Sequence, residues 1–162
     1  IDNPKLNCRL EGFNQFSPKR IILDKNLEIN LKSYIANSIN NENTIIFHNS
    51  NDKSKIKLLK KRGTILIKQS TDKYKNLDLK KILKDLYKME IRNLLVEGGD
   101  ILTKNFLQKK LFNEFYMFRS SKNLSKNKKH VNFTSFSILN TKYNKHKINS
   151  TLATDKLTIY KN

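Results

Sequence analysis

Leu94-Leu95-Val96-Glu97-Gly98-Gly99 is the stretch on which the fold turns. Three apolar residues suited to a strand run into an acid and then into two of the chain's 4 glycines. The spacing predicts a buried strand over Asn93-Leu94-Leu95-Val96, a tight turn, and a helix from about Ile101 to Lys110. Glycine at such a turn lets the backbone bend and lets a ligand come close. The free N–H groups of a helix N-terminus, with the helix dipole, favour a phosphate. Glu97, at the carboxyl end of the strand, would face the crevice where open α/β sheets bind ligands. The same residues also suit an ordinary strand–helix turn with a capping acid, and the Gly-rich dinucleotide fingerprint is absent.

Working outward, Arg20-Ile21-Ile22-Leu23-Asp24, Thr44-Ile45-Ile46-Phe47-His48 and Thr64-Ile65-Leu66-Ile67-Lys68 read as short buried strands. Asp52 to Lys61, closed by Gly63, suits a short helix. Asp78 caps an amphipathic helix in which Leu79, Ile82, Leu83 and Leu86 share a face, with Lys80, Lys81, Lys84 and Asp85 toward water. Phe115 to Phe118 reads as a strand, followed by a polar loop to about Lys129. Strand-like stretches then fall around Phe133 to Leu139, Lys145 to Ile148 and Lys156 to Tyr160. Early alternation and late strands predict an α/β fold: a mostly parallel sheet flanked by helices, with antiparallel C-terminal strands. No internal repeat is evident.

The 162 residues suit one domain and exclude a large multidomain enzyme. The single cysteine, Cys8, excludes a disulfide scaffold and a multi-cysteine zinc site. No apolar run is long enough to span a membrane and no signal peptide is visible, so the cytoplasm is the expected compartment. Ile1 is not a methionine, and Asp2-Asn3-Pro4 reads as the middle of a loop, so a fragment or processed product is expected. The net charge of +19 invites a nucleic-acid reading. It comes, however, from 28 Lys against 5 Arg, beside 22 Asn and 17 Ile. All three abundant residues have A/T-rich codons, and the densest basic stretch, Lys122 to Lys129, carries no aromatic to stack on a base. Solvated lysines are the simpler account, and nucleic acid is not the expected partner.

Among other candidates, Arg9 beyond the Pro-fixed turn at Asp2-Asn3-Pro4 could clamp a phosphate. His48, His130 and His146 lack metal-ligand spacing and read as structural or surface residues. Cys8 suits a small buried role better than a nucleophile. Asp24 could bond a ligand or simply close a turn. No metal site is expected.

Together these stretches resemble the reductase domain of the bifunctional riboflavin-biosynthesis deaminase/reductase. Asp2-Asn3-Pro4-Lys5-Leu6 and Arg9 resemble the family's D-[DN]-P-x-L-T-x-R segment, with Asn7 where Thr is frequent. Pro18 to Asp24 resembles P-x-R-[IV]-V-[IL]-D, and Leu77-Asp78-Leu79 opens the same helix. Leu95 to Gly99 resembles [LV]-V-E-G-G-x-x-L, and Leu111-Phe112-Asn113-Glu114 resembles L-[VI]-D-E. The similarity runs in order from Asp2 to about Arg119.

The resemblance implies a fold like that of dihydrofolate reductase, often dimeric. It implies NADPH-dependent reduction of 5-amino-6-(5-phosphoribosylamino)uracil to the ribitylamino product. Carried over by position, Asn3, Lys25, Gly99, Asp100, Ile101, Leu102, Thr103, Lys104 and Asn105 would hold the cofactor. Leu6, Arg9 and Glu97 would meet the substrate, a phosphorylated pyrimidine. The family's first strand and helix, and its upstream zinc deaminase domain, have no counterpart in these residues. After Phe118 the family's Pro and Gly are replaced by Arg119 to Asn123. Residues 1–162 are thus expected to form a single partial reductase domain. The rivals are another reductase of the same fold and a basic nucleic-acid-binding module.

Overall fold

The computed structural model describes residues 3–40, 43–121, 133–148 and 155–162. They fall into two compact units, Ile1–Arg92 and Asn93–Asn162.

In the first unit, Thr44 to His48 is buried at every position, as a central strand covered on both faces must be. It forms β2 (Thr44–His48), between β1 (Arg20–Leu23) and β3 (Ile65–Lys68), all parallel; Ile46 lies opposite Ile22 and Leu66. Helix α2 (Lys53–Lys61) connects β2 to β3. Asp52 caps it by accepting from the Lys55 N–H, and Gly63, at φ 86°, supplies the left-handed stop. In α3 (Leu79–Lys88) the Asp78 carboxylate accepts from the Lys80 and Lys81 N–H groups, and Leu79, Ile82 and Leu86 are buried. Both helices follow the expected pattern. Asp85 departs from it: half-buried, it accepts from the Gln69 side-chain amide at 2.9 Å. A short helix not foreseen, α1 (Tyr34–Asn37), is capped by Ser33. The buried Arg20 ties its end to β1, donating to the Ser38 hydroxyl and carbonyl. Leu27, Ile46 and Leu59 centre the core.

The second unit holds α4 (Asp100–Gln108), β4 (Glu114–Arg119), α5 (Phe136–Lys142), β5 (Asn144–Ile148) and β6 (Lys156–Lys161). Its sheet is antiparallel, in the order β4-β6-β5. Leu107, Leu139 and Tyr160 centre a separate core, joined by Phe112, Phe115 and Tyr143. The expected α/β class and the antiparallel C-terminal strands are both present, as two three-stranded sheets rather than one continuous sheet.

Two expectations fail. Phe133 to Leu139 reads as strand-like, but α5 occupies Phe136–Lys142. Its apolar residues Phe136, Leu139 and Tyr143 recur at helical spacing, and Leu139 buries against Leu107. Asn93 to Val96 reads as a buried strand, yet it joins neither sheet. Leu95 is 84% exposed, and no backbone group from Asn93 to Gly98 is hydrogen-bonded to another described residue. A strand exists only through a paired neighbour, and the described residues offer this one none. The basic stretch Lys122 to Lys129 lies outside the described residues.

Candidate functional site

In the first unit the segment Asn3–Arg9 is an exposed loop with two residues in the left-handed region, Asn3 at φ 41° and Leu6 at φ 48°. A left-handed leucine is uncommon, and such strain gathers where a structure holds a group for a purpose. The Asn3 side-chain oxygen accepts the Tyr34 N–H at 2.8 Å, which docks the loop on the start of α1. That bond leaves the Asn3 NH2 group as a free donor. Leu6 is half-buried. The Asn7 carbonyl oxygen is buried without a partner among the described residues. Cys8 is a half-buried free thiol whose backbone N–H donates to the Ser17 hydroxyl. Arg9 is exposed, and its guanidinium makes no bond to the described residues, so all its donors are available to an anion. Lys25, just past β1, donates to the Lys75 carbonyl at 3.2 Å and keeps two further N–H groups. Asp24 is a turn acid: its oxygens accept from the Glu28 and Ile29 N–H groups.

At the carboxyl end of β2, His48 is 3% exposed with Nδ1 unpartnered. Burial holds its pKa below the ordinary imidazole value. It is structural, as its sequence context suggests.

In the second unit Glu97 is exposed and makes no hydrogen bond or ion pair to the described residues, and Gly98 and Gly99 follow it into α4. Neither glycine has positive φ; Gly99 sits at φ −72°, ψ 177°. The reason for glycine here is therefore space rather than conformation. A Cβ on Gly98 would lie 2.7 Å from Leu102 Cδ2, whereas a Cβ on Gly99 would meet nothing within 4 Å. The first helical bond runs from Thr103 N–H to the Gly99 carbonyl, and no side chain caps the helix. The N–H groups of Asp100, Ile101 and Leu102 are thus free beside open space. Lys104 is exposed, and the Asn105 amide folds back onto the Ile101 carbonyl. The Asp100 carboxylate is engaged elsewhere, by Thr134 and Ser135. Sequence reasoning missed those two residues. Nothing local in the chain links positions 34 apart.

A parallel α/β unit and an antiparallel unit, with an uncapped helix behind Glu97-Gly98-Gly99, define the class as a mixed α/β domain. The family described as RibD C-terminal domain matches residues 1–153, and the chain belongs to that family. It is 34% identical over 121 residues to the riboflavin biosynthesis protein RibD of Aquifex aeolicus (strain VF5), an alignment covering 75% of this chain and 32% of that protein. Two solved forms of Acinetobacter baumannii RibD superpose with TM-scores of 0.71 and 0.70 at 21% and 20% identity. Each match covers 99% of this chain and 43% of the other. A pyrimidine reductase-like protein of Corynebacterium diphtheriae follows at TM-score 0.62 and 15% identity, over 90% of this chain and 61% of that one. The chain therefore spans about a third of the curated relative's length. Among the described residues no helix is long and apolar enough to cross a membrane.

Proposed function

We propose that residues 1–162 act as a single reductase domain that reduces 5-amino-6-(5-phosphoribosylamino)uracil to its ribitylamino product with NADPH. The observation that carries this reading is the uncapped start of α4. Its three free N–H groups adjoin the open space at Gly99, directly after the exposed Glu97 carboxylate, in a chain of the RibD C-terminal domain family. Such a helix start fits the phosphates of a dinucleotide.

NADPH, when bound, supplies the hydride. The chain's own part is binding and orientation. Gly99 to Asn105 form the turn and helix start that hold the cofactor phosphates, with the free N–H groups of Asp100, Ile101 and Leu102 as the backbone donors. The Asn3 amide and the Lys25 ammonium add donors to it. The Arg9 guanidinium takes the substrate phosphate in bidentate fashion, and Leu6 packs against the substrate. Glu97 accepts hydrogen bonds from the substrate's hydroxyl and amino groups, fixing its orientation. The same reading makes the functional form a cytoplasmic homodimer.

The test is a titration of the purified protein with NADPH, with NADH and a short oligonucleotide as controls. Selective stabilisation by NADPH is expected. Oligonucleotide affinity that falls steeply with salt, without NADPH preference, would replace this reading with the nucleic-acid one. In the same assay Glu97→Gln should lower kcat/KM for the substrate by about tenfold or more, roughly one lost charged hydrogen bond. NADPH affinity should stay near wild type in that variant. Equal loss of both would remove Glu97 from the substrate.

A further inference from the structure

An aspartate at the first position of a helix that is to receive phosphates poses an electrostatic problem. Its charge favours the helix dipole but repels the ligand. The structure resolves the conflict by turning the Asp100 side chain onto another segment. Asp100 Oδ1 accepts from the Thr134 N–H at 3.0 Å, the Ser135 N–H at 3.1 Å and the Ser135 hydroxyl at 2.9 Å. Asp100 Oδ2 accepts from the Thr134 hydroxyl. Four donors on one carboxylate, all from two consecutive residues, make a closed recognition unit. Ser135 is fully buried, so its groups have no solvent alternative, and losing the acceptor would orphan them. These bonds, led by the Thr134 hydroxyl, hold the Asp100 carboxyl below the usual carboxylate range.

Among the described residues the unit is one of two hydrogen-bonded ties between α4 and the segment of α5. Ser135 is the residue from which α5 starts, and its own side chain does not cap that helix. Asp100 therefore serves at the start of α4 and at the start of α5 together. At the far end the Tyr143 hydroxyl donates to the Leu107 carbonyl at 2.6 Å, and Leu107 packs with Leu139 between them. The two helices therefore run side by side in the same direction, pinned at both ends. Pinning matters at the N-terminal end because α4 has no cap of its own and is preceded by an unpaired stretch. Without the tie, the start of α4 would, among the described residues, be held only through contacts at its far end, the Leu107 packing and the Tyr143 bond.

We propose that Asp100 is a positioning residue: through Thr134 and Ser135 it fixes the first turn of α4 so that the backbone N–H groups, not the carboxylate, face the cofactor. This rests on the reading of that turn as the NADPH phosphate site. It gives the Asp100 side chain the part of an anchor, while its backbone N–H stays with the turn that holds the cofactor.

The experiment is a set of variants of the full protein: Asp100→Ala, Asp100→Asn, Thr134→Val with Ser135→Ala, and all three sites together, with Thr134→Ser as the conservative control. Each is read by KM and Kd for NADPH, by kcat, and by amide hydrogen exchange. Asp100→Ala and the Thr134/Ser135 pair are each expected to raise KM and Kd for NADPH by about tenfold, with kcat within about twofold. Combining them should add nothing further, because both remove the same unit. Thr134→Ser should behave as wild type. The Thr103 amide of α4 and the Thr134 and Ser135 amides should lose protection together in Asp100→Ala and, to a smaller degree, in Asp100→Asn. Additive effects, or a loss confined to the Asp100 variants, would mean that the carboxylate acts on the ligand directly and would overturn the anchor. Unchanged NADPH affinity and unchanged exchange in every variant would overturn it too. If wild type has no NADPH affinity, the cofactor reading itself fails, which is distinct from wild type binding and the variants binding equally.

Discussion

At the scale of single residues, the two glycines after Glu97 have different tasks. Gly98 is short because the Leu102 side chain lies over it. Gly99 has ordinary dihedrals and open space where its Cβ would be. A branched residue at 99 is therefore compatible with the fold while filling the place proposed for a cofactor phosphate. Gly99→Val should keep the wild-type Tm and weaken NADPH binding by about tenfold or more. Calorimetric titration of the folded variant checks this, and wild-type affinity there would sink the idea of a close backbone approach. His48 offers a test of opposite character. Burial is the main cause of its lowered pKa, aided by Lys68 and Lys60 and opposed by Asp24. A folded value below the unfolded one, about 6.5, means the unfolded chain takes the proton first. The stability tied to neutral His48 is complete above that pH and is lost as pH falls toward the folded value. His48→Phe lacks this titration. The variant's Tm should gain on wild type between about pH 7 and 5, and a constant gap across that range would show that the imidazole is not the source.

At the scale of elements, legibility follows how local the cause is. The helices opened by Asp52 and Asp78 are readable because cap, apolar face and stop lie within a few residues of one another. The strands of the parallel sheet are readable because each is a short apolar run. Helix α5 is not, since Phe136, Ile138 and Leu139 suit either period, and only packing against Leu107 decides. Asn93 to Val96 has strand composition, but composition cannot supply the neighbour a strand needs. The candidate site divides in the same way. Glu97-Gly98-Gly99 and the helix behind it stand out in the sequence because the chemistry sits in adjacent residues. The left-handed backbone at Leu6 does not stand out, since leucine rarely adopts it, whereas Asn3 is of a type enriched there. Nor does the Asp100–Thr134–Ser135 tie, whose partners are brought together only by the folding of the second unit.

For the whole molecule, the net charge of +19 is the property a ligand meets first. In the first unit much of it stands on solvated helix faces, with Lys53, Lys57, Lys60 and Lys61 on α2 and Lys80, Lys81, Lys84 and Lys88 on α3 all exposed. Spread in this way, these lysines of the described residues make a diffuse positive field. A diffuse field acts on any small polyanion and is screened once the Debye length drops from about 10 Å at 0.1 M salt to about 3 Å at 1 M. The bonds at the start of α4 are short-ranged and escape most of that screening. NADPH affinity should therefore fall by only about three- to tenfold from 0.1 to 1 M salt, with NADH, one phosphate poorer, less affected. A short oligonucleotide should lose what little affinity it has over the same range. Titrations at a series of salt concentrations separate the two contributions. A collapse of NADPH binding parallel to that of the oligonucleotide would show that the lysine field alone holds the cofactor, with no specific contribution from the uncapped helix.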